Sequence, residues 1–244
     1  MNKLTFGTSV ICMDHINLER DVHLAEELEI DYLHMDIMDG NMVPRYGLYP
    51  EILKRIANIT NMPMDIHLMV SDPEFAITQY ADVENVVNIS FHLDGNERDA
   101  IRIIDKIKNR NINAGIVLNM SSSFSSALRI ASHGLLDSIM FMAIHPGVLM
   151  QTARPENLYK DIRKFFDELN LINEYSQEED GPHLIQCDGG VTFETMKPLI
   201  ESGINNFVGG TGTIYKNVNR EDSWDIQREK TIENWARIKE ILLS

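Results

Sequence analysis

The sequence predicts an α/β protein, a single (β/α)₈ barrel over residues 1–244 with its active site at the C-terminal strand ends. Three observations lead there. Strand-like runs alternate with amphipathic helical runs along the whole chain, eight of each. The length of 244 residues matches the roughly 250 that such a barrel uses. Most of the strand runs carry apolar residues on both faces, as parallel strands do when helices cover them. An open doubly wound sheet is the other architecture that fits this alternation.

In chain order, apolar content and short length mark strands at Phe6–Ile11, Tyr32–Met38, Met64–Val70, Val86–His92, Ala114–Leu118, Ser138–Ile144, His183–Asp188 and Asn206–Gly209. Helical periodicity places helices between them at Ile16–Leu28, Tyr49–Ala57, Glu74–Tyr80, Glu97–Arg110, Ser125–His133, Glu156–Asn173 and Phe193–Ser202. A last helix, Asp222–Leu243 with Trp224 and Trp235, closes the chain and reads as barrel cover. No linker divides these elements. The most polar stretch, Glu174–Pro182, falls between a helix and a strand and reads as a solvated loop on the face away from the active site. Met-Asp-Ile occurs twice, at Met35–Ile37 and Met64–Ile66, but the polar residues around it are out of phase, so it is no repeat.

Composition excludes several classes. Apolar residues make up 43% and charged residues 24%, ordinary values for a soluble globular chain. No apolar run approaches the ~20 residues that span a bilayer, and the N-terminus lacks an apolar signal region, so no membrane partner is expected. Cys12 and Cys187 are too few for a disulfide framework, which makes a reducing cytoplasm the expected compartment. A net charge of −15 argues against nucleic acid, whose phosphates need a basic surface. It also means that a phosphorylated small molecule would have to be held by local donors.

Within the strands, polar residues recur at alternate positions. Residues i and i+2 share a face, so His34, Asp36 and Met38 point one way from the second strand, and His67 and Met69 one way from the third. Asp188 ends the seventh strand. A lone His or Asp at a strand end is ordinarily a cap or a satisfied buried group. Four in this register form a candidate site for one divalent cation, with His34, Asp36, His67 and Asp188 as ligands. Nitrogen and oxygen donors together suit Zn²⁺ first, with Mn²⁺, Fe²⁺ or Co²⁺ as alternatives, rather than Mg²⁺ or Ca²⁺. Met38, Met69 and Met142 face the same end, as core filling or as an apolar wall around a flat intermediate. Gly189-Gly190 and Gly209–Thr213 follow the seventh and eighth strands, where such barrels grip phosphate. Neither turn contains Lys or Arg, so amides and helix dipoles would do the holding. His92 ends the fourth strand and could line the pocket without being a ligand. His15, His23, His133 and His183 read as surface or capping residues without partners.

These segments together resemble the ribulose-phosphate 3-epimerase family, nearly end to end. The resemblance rests on Thr8–Asp14, His34–Pro44, Asp65–Val70, Ser90–His92, Gly115–Asn119, His145–Gly147, Asp188–Gly190 and Val208–Thr211, and above all on the string His34-Met35-Asp36-Ile37-Met38-Asp39-Gly40. It implies that His34, Asp36, His67 and Asp188 bind a metal and that Asp36 and Asp188 are catalytic, moving protons at C3 through a metal-stabilised enediolate. It also implies that Ser9, Met38, His67, Met69, Met142 and Gly147 contact substrate, and that Gly189, Gly190, Gly210 and Thr211 bind phosphate. The implied partner is a small-molecule ketose phosphate, of the ribulose 5-phosphate or the allulose 6-phosphate type, and the expected assembly is a homo-oligomer. Cys12-Met13-Asp14, the Gly-Thr-Gly turn and Arg220–Trp224 look more like the allulose 6-phosphate branch.

The chain also departs from that family's pattern. Val148-Leu149-Met150 stands where small glycine-rich residues are usual, and bulky side chains there would loosen or shift a phosphate grip. His145 stands where Asn or Asp is common, Met120 replaces a proline, and Arg45 replaces an asparagine and could meet a distal anion. Two other readings compete: a sugar-phosphate-binding paralogue without activity, and a phosphate-barrel decarboxylase or aldolase. Against the last, Asp36 is followed by Ile37-Met38 rather than by a lysine two residues on.

Overall fold

A computed structural model describes residues 3–147, 155–176 and 182–244. Eight parallel strands close into a barrel in the order β1-β2-β3-β4-β5-β6-β7-β8. They are β1 (Thr5–Ser9), β2 (Tyr32–Met38), β3 (Met64–Met69), β4 (Val86–His92), β5 (Asn113–Leu118), β6 (Ser138–Met142), β7 (Leu184–Asp188) and β8 (Asn206–Gly209). The helices are α1 (Leu18–Glu27), α2 (Pro50–Ala57), α3 (Pro73–Tyr80), α4 (Ala100–Lys108), α5 (Phe124–Ala131), α6 (Pro155–Ser176), α7 (Phe193–Ser202) and α8 (Trp224–Leu243). The closed barrel is therefore the architecture, not the open sheet. Among the described residues no helix is long and apolar enough to cross a membrane.

Several ends differ from the sequence-based expectation. β1 stops at Ser9 and turns into a short 3₁₀ segment, Val10–Cys12, rather than running on to Ile11. β6 stops at Met142 rather than Ile144. α4 begins at Ala100 rather than Glu97. α6 continues to Ser176, so the first residues of the polar stretch at Glu174 are helical, not loop; residues 177–181 lie outside the described residues. In both strand cases apolar residues, Val10 and Ile11 after β1 and Ala143 and Ile144 after β6, run on past the last paired residue, and composition alone does not mark where pairing ends.

Local chemistry sets the turns that lead out of the strands. The Asp72 side chain accepts a hydrogen bond from Phe75 N at 2.9 Å and caps α3, which opens on Pro73. Thr192 and Thr195 form a reciprocal cap at the start of α7, and Gly203 ends that helix at φ 109°. The caps at Asp72 and Thr192 fix the chain just beyond the C-terminal ends of β3 and β7.

The outward strand faces build the main apolar layer. Leu33, Met35 and Ile37, then Ile66 and Leu68, Ile89 and Phe91, and Ile139 and Phe141 are all buried beneath the helices. Fully burying one such side chain stabilises the fold by about 1.5–3 kcal/mol. The inward face is different from the expectation of strands apolar on both sides. Tyr32, Asp65, Asn88, Ser90, Ser138, Gln186 and Asn206 are buried inside the barrel and bonded to one another. A polar interior is tolerated because its donors find acceptors across the barrel.

One glycine holds the second strand to its loop. Gly47 N donates to Met38 O at 3.0 Å, and Leu48 N to Asp36 O at 3.0 Å. A Cβ on Gly47 would lie 2.3 Å from Asp36 O and 2.7 Å from Met38 N, both backbone atoms. Gly47→Ala is therefore expected to destabilise the protein by about 1–3 kcal/mol and to lower Tm by several degrees in a thermal melt. A melt identical to wild type would show that the backbone from Asp36 to Met38 yields freely.

Candidate metal centre

Strand register brings the polar residues to one level. Ser9 lies beside His34, Asp36 beside His67, and Met38 beside Met69, while Met142 lies beside Asp188. His34, Asp36, His67 and Asp188 each offer one ligand atom, and these atoms lie within 4.8 Å of one another. His34 Nε2 is 3.5 Å from Asp36 Oδ1 and 3.9 Å from Asp188 Oδ2. His67 Nδ1 is 3.6 Å from Asp36 Oδ1 and 3.3 Å from Asp188 Oδ2. These separations are too long for good hydrogen bonds and suit donors arranged around a shared ion. The same two nitrogens, His34 Nε2 and His67 Nδ1, are buried without a hydrogen-bond partner. Buried polar atoms seldom stay unpaired, so the cluster fits a divalent cation.

The opposite ring nitrogens are tied down. His34 Nδ1 donates to Asp65 Oδ2 at 2.9 Å. Asp65 also accepts from Asn88 Nδ2 at 2.6 Å and from Gln186 Nε2 at 2.8 Å. This carboxylate fixes the tautomer that leaves His34 Nε2 facing the cluster. His67 Nε2 lies 2.9 Å from His92 Nε2, with the two rings stacked at 5.1 Å. His67 donates in that pair if its Nδ1 is to face the carboxylates, and His92 accepts. Ser9 Oγ donates to Asp36 Oδ2 at 2.8 Å, which orients the remaining carboxylate oxygen.

Electrostatics follow from this arrangement. Burial pushes the His34 imidazole down, but Asp36 and Asp65 override it and hold its pKa well above the ordinary value. His67 is likewise raised against burial, by Asp188 and Asp36. Burial would raise the Asp36 carboxyl; His34 and His67 instead hold it far below the usual range. Asp65 is lowered against burial by His34, Asn88 and Gln186. His92 goes the other way: burial, and then the neighbouring His67, hold its pKa well below the ordinary value. A divalent cation held by these four side chains would need both imidazoles unprotonated at the nitrogens that face it, so its binding would release protons.

The cluster forms the floor of a cavity of about 300 Å³. Ser9, Asp36, Met38, Met69, Met142, Gly147, Asp188, Gly189, Gly190, Gly210 and Thr211, all singled out in the sequence, line it. His34 and His67 stand behind the carboxylates with no exposure, so His67 offers no surface to the cavity. Gly189 sits at φ 75°, and a Cβ there would come within 2.2 Å of the Ile144 side chain, so only glycine serves in that turn. Met38 and Met69 pack with Val43, and Met142 with Val117 and Met140. The Val148–Gln151 segment, where a bulky loop was expected, lies outside the described residues.

Two further residues, given no role of their own by the sequence, support the cluster. Asp65 shares the inward face of β3 with His67, two residues on, and that spacing was its one available signal. Asp39 accepts from Asn41 N and Met42 N, each at 2.8 Å, and from Ser71 N at 2.7 Å, and so joins the loops after β2 and β3. The four histidines expected to be surface or capping residues without partners do have neighbours. His15 Nε2 bonds Val10 O, His133 Nδ1 bonds Arg129 O at the end of α5, His23 lies beside Glu19 and Glu26, and His183 is engaged as well.

Comparison with known proteins shows the family. The model of the ribulose-phosphate 3 epimerase family matches residues 5–214. Curated relatives named ribulose-phosphate 3-epimerase include one from Buchnera aphidicola subsp. Schizaphis graminum, 31% identical, covering 87% of this chain and 88% of its own. Another, from Bacillus subtilis, is 28% identical and covers 83% of this chain and 88% of its own. Among solved structures, a mutant tryptophan synthase alpha-subunit from Pyrococcus furiosus superposes with a TM-score of 0.65 at 13% identity, covering 100% of this chain and 99% of that one. Phosphoribosyl anthranilate isomerase from Thermus thermophilus gives 0.61 at 11% identity, over 98% of this chain and 100% of that one. At such identities these two speak for the barrel alone. The family match over most of the chain, with relatives alike across their length, places this protein in the ribulose-phosphate 3-epimerase family.

Proposed function

We propose that this protein catalyses 3-epimerisation of a ketose phosphate, either the D-ribulose 5-phosphate/D-xylulose 5-phosphate pair or the D-allulose 6-phosphate/D-fructose 6-phosphate pair. The observation that carries this reading is the placement of Asp36 and Asp188. They come from separate strands yet approach the same two unpaired imidazole nitrogens on the floor of one cavity. The names of the curated relatives support the same reaction class.

Epimerisation at C3 beside a ketone needs a proton removed from one face of the carbon and one delivered to the other. Asp36 and Asp188 do this as a pair, one accepting and one donating, and exchange roles with the direction of reaction. Ser9 holds Asp36 through Oδ2, which keeps that carboxylate aimed while it carries or releases a proton. His34, Asp36, His67 and Asp188 would hold one divalent ion, Zn²⁺ first, with Mn²⁺, Fe²⁺ or Co²⁺ as alternatives. When bound, it supplies Lewis-acid stabilisation for the negative charge that develops on the C2 oxygen. Met38, Met69 and Met142 keep water from the flattened carbon centre. The amides of Gly189, Gly190, Gly210 and Thr211 receive the phosphate without a cationic side chain of their own.

Solvent exchange tests the reading directly. Metal-stripped protein, reloaded with each of the four ions and given the four ketose phosphates in D₂O, is expected to place deuterium at C3 while the two epimers interconvert. Protein that binds the sugars but leaves C3 free of deuterium would instead be a non-catalytic binder.

A further inference from the structure

The lining of the cavity is uneven in charge. Asp36 and Asp188 bring two carboxylates to it, and the chain as a whole carries a net charge of −15. The glycine turns beyond β7 and β8 contribute amides. Among the described residues that line the cavity, Arg45 is the single cation.

Arg45 is held there by its backbone. Its amide donates to Val43 O at 2.8 Å, and its carbonyl accepts from Gly40 N at 3.0 Å. An antiparallel bridge joins Asp39 to Tyr46, and the Tyr46 ring lies over Gly40, where a Cβ would come within 2.7 Å of it. Val43 reaches Gly147, in the loop after β6, closely enough that a Cβ on that glycine would lie 2.6 Å away. The turn therefore leans across the mouth of the barrel, with Arg45 on it. Its guanidinium, in contrast, makes no hydrogen bond, ion pair or ring contact with any described residue. Arg20, Arg102 and Arg220 are paired, and Arg55, Arg98 and Arg129 are as free as Arg45, but among the described arginines Arg45 alone lines this cavity. A fixed backbone with an uncommitted fork of donors in a cavity wall is suited to an incoming anion, and two oxygens of a phosphoryl group can take both arms of that fork.

We propose that Arg45 is a specificity-determining residue, whose guanidinium takes the substrate's phosphoryl group together with the glycine amides beyond β7 and β8 and sets the preference for phosphorylated over free ketoses. This rests on the 3-epimerase reading and adds to it the residue that selects the anionic end. It also answers how an acidic chain, with glycine turns that lack lysine and arginine, retains a phosphate: one charge is supplied from the loop after β2.

The test compares metal-loaded wild type, Arg45→Gln and Arg45→Lys. Substrates are D-ribulose 5-phosphate against D-ribulose, and D-allulose 6-phosphate against D-allulose. Inorganic phosphate serves as competitive inhibitor and, by calorimetry, as ligand. For Arg45→Gln the ratio of kcat/KM for phosphorylated over free ketose is expected to fall ~10–100-fold, mainly through KM, with weaker inhibition by phosphate. Arg45→Lys, which keeps the charge but loses the fork, is expected to fall between the two. An unchanged ratio, or an equal loss on both members of a pair, would overturn the proposal. If wild type epimerises none of the four sugars, the epimerase reading fails instead. Phosphate calorimetry still decides on Arg45 in that case: affinity equal in wild type and Arg45→Gln counts against it, and a loss of ~10-fold or more in the variant counts for it.

Discussion

Asp188→Asn, and separately Asp36→Asn, is expected to lower kcat for epimerisation by about 10³-fold or more, the upper part of the range for removing a positioned proton-transfer group. Asparagine keeps the shape of the side chain and an oxygen that can face an ion, but it cannot take a proton. The two variants are not expected to be alike in every assay. With two carboxylates on opposite sides of C3, loss of one leaves the other able to remove a proton from its own face and return it there. Each variant should therefore retain slow C3 exchange with D₂O from one epimer, the two variants favouring opposite epimers, without net inversion. Ion content must be measured in parallel, because both residues belong to the cluster whose ligand atoms lie within 4.8 Å of one another. Epimerisation at the wild-type rate in either variant, with ion bound, would remove the two-carboxylate mechanism.

How far the sequence revealed this site depends on which periodicity each residue obeys. Alternation along one strand is local, so His34, Asp36 and Met38 could be assigned to a common face from the text of β2 alone, and His67 and Met69 from that of β3. What alternation does not provide is the offset between neighbouring strands. His34 lies beside Asp65, and His67 beside Ser90, which puts His92 above its neighbour's ring. Those offsets turn Asp65 and His92 from isolated polar residues into the partners of the two imidazoles, and register is a property of the closed barrel. The same limit hid the interior network: Asn88, Ser138, Gln186 and Asn206 are single polar letters in four apolar runs until the strands meet. Arg45 stands out in the sequence, yet its place in the cavity wall depends on the bridge between Asp39 and Tyr46, a contact with no repeating pattern in the chain. The end of β1 is not legible, because Val10 and Ile11 favour strands as strongly as the residues before them yet form the 3₁₀ turn Val10–Cys12.

Asp65→Asn is expected to weaken both the ion site and the fold, and the two losses can be separated. Asp65 accepts three hydrogen bonds, from His34 Nδ1, Asn88 Nδ2 and Gln186 Nε2, and donates none. An asparagine has one acceptor oxygen, and its amide must then face at least one of those three donors. The residue is almost wholly buried, so water does not relieve the mismatch. A buried donor left unsatisfied costs about 1–3 kcal/mol, which should appear as a lower urea midpoint in the ion-free protein. The effect on ion affinity has a different origin. Asp65 sets the tautomer of His34 and adds to the negative field that makes its Nε2 a strong donor; loss of such a partner typically weakens affinity 10–100-fold. Chelator competition with Zn²⁺, read under conditions where the variant is fully folded, measures that term alone. Asp65→Glu separates charge from shape, since it keeps the carboxylate but lengthens the arm in a packed interior. If Asp65→Asn loses stability but binds Zn²⁺ as tightly as wild type, the carboxylate only fills and ties the barrel, and His34 is oriented by its packing.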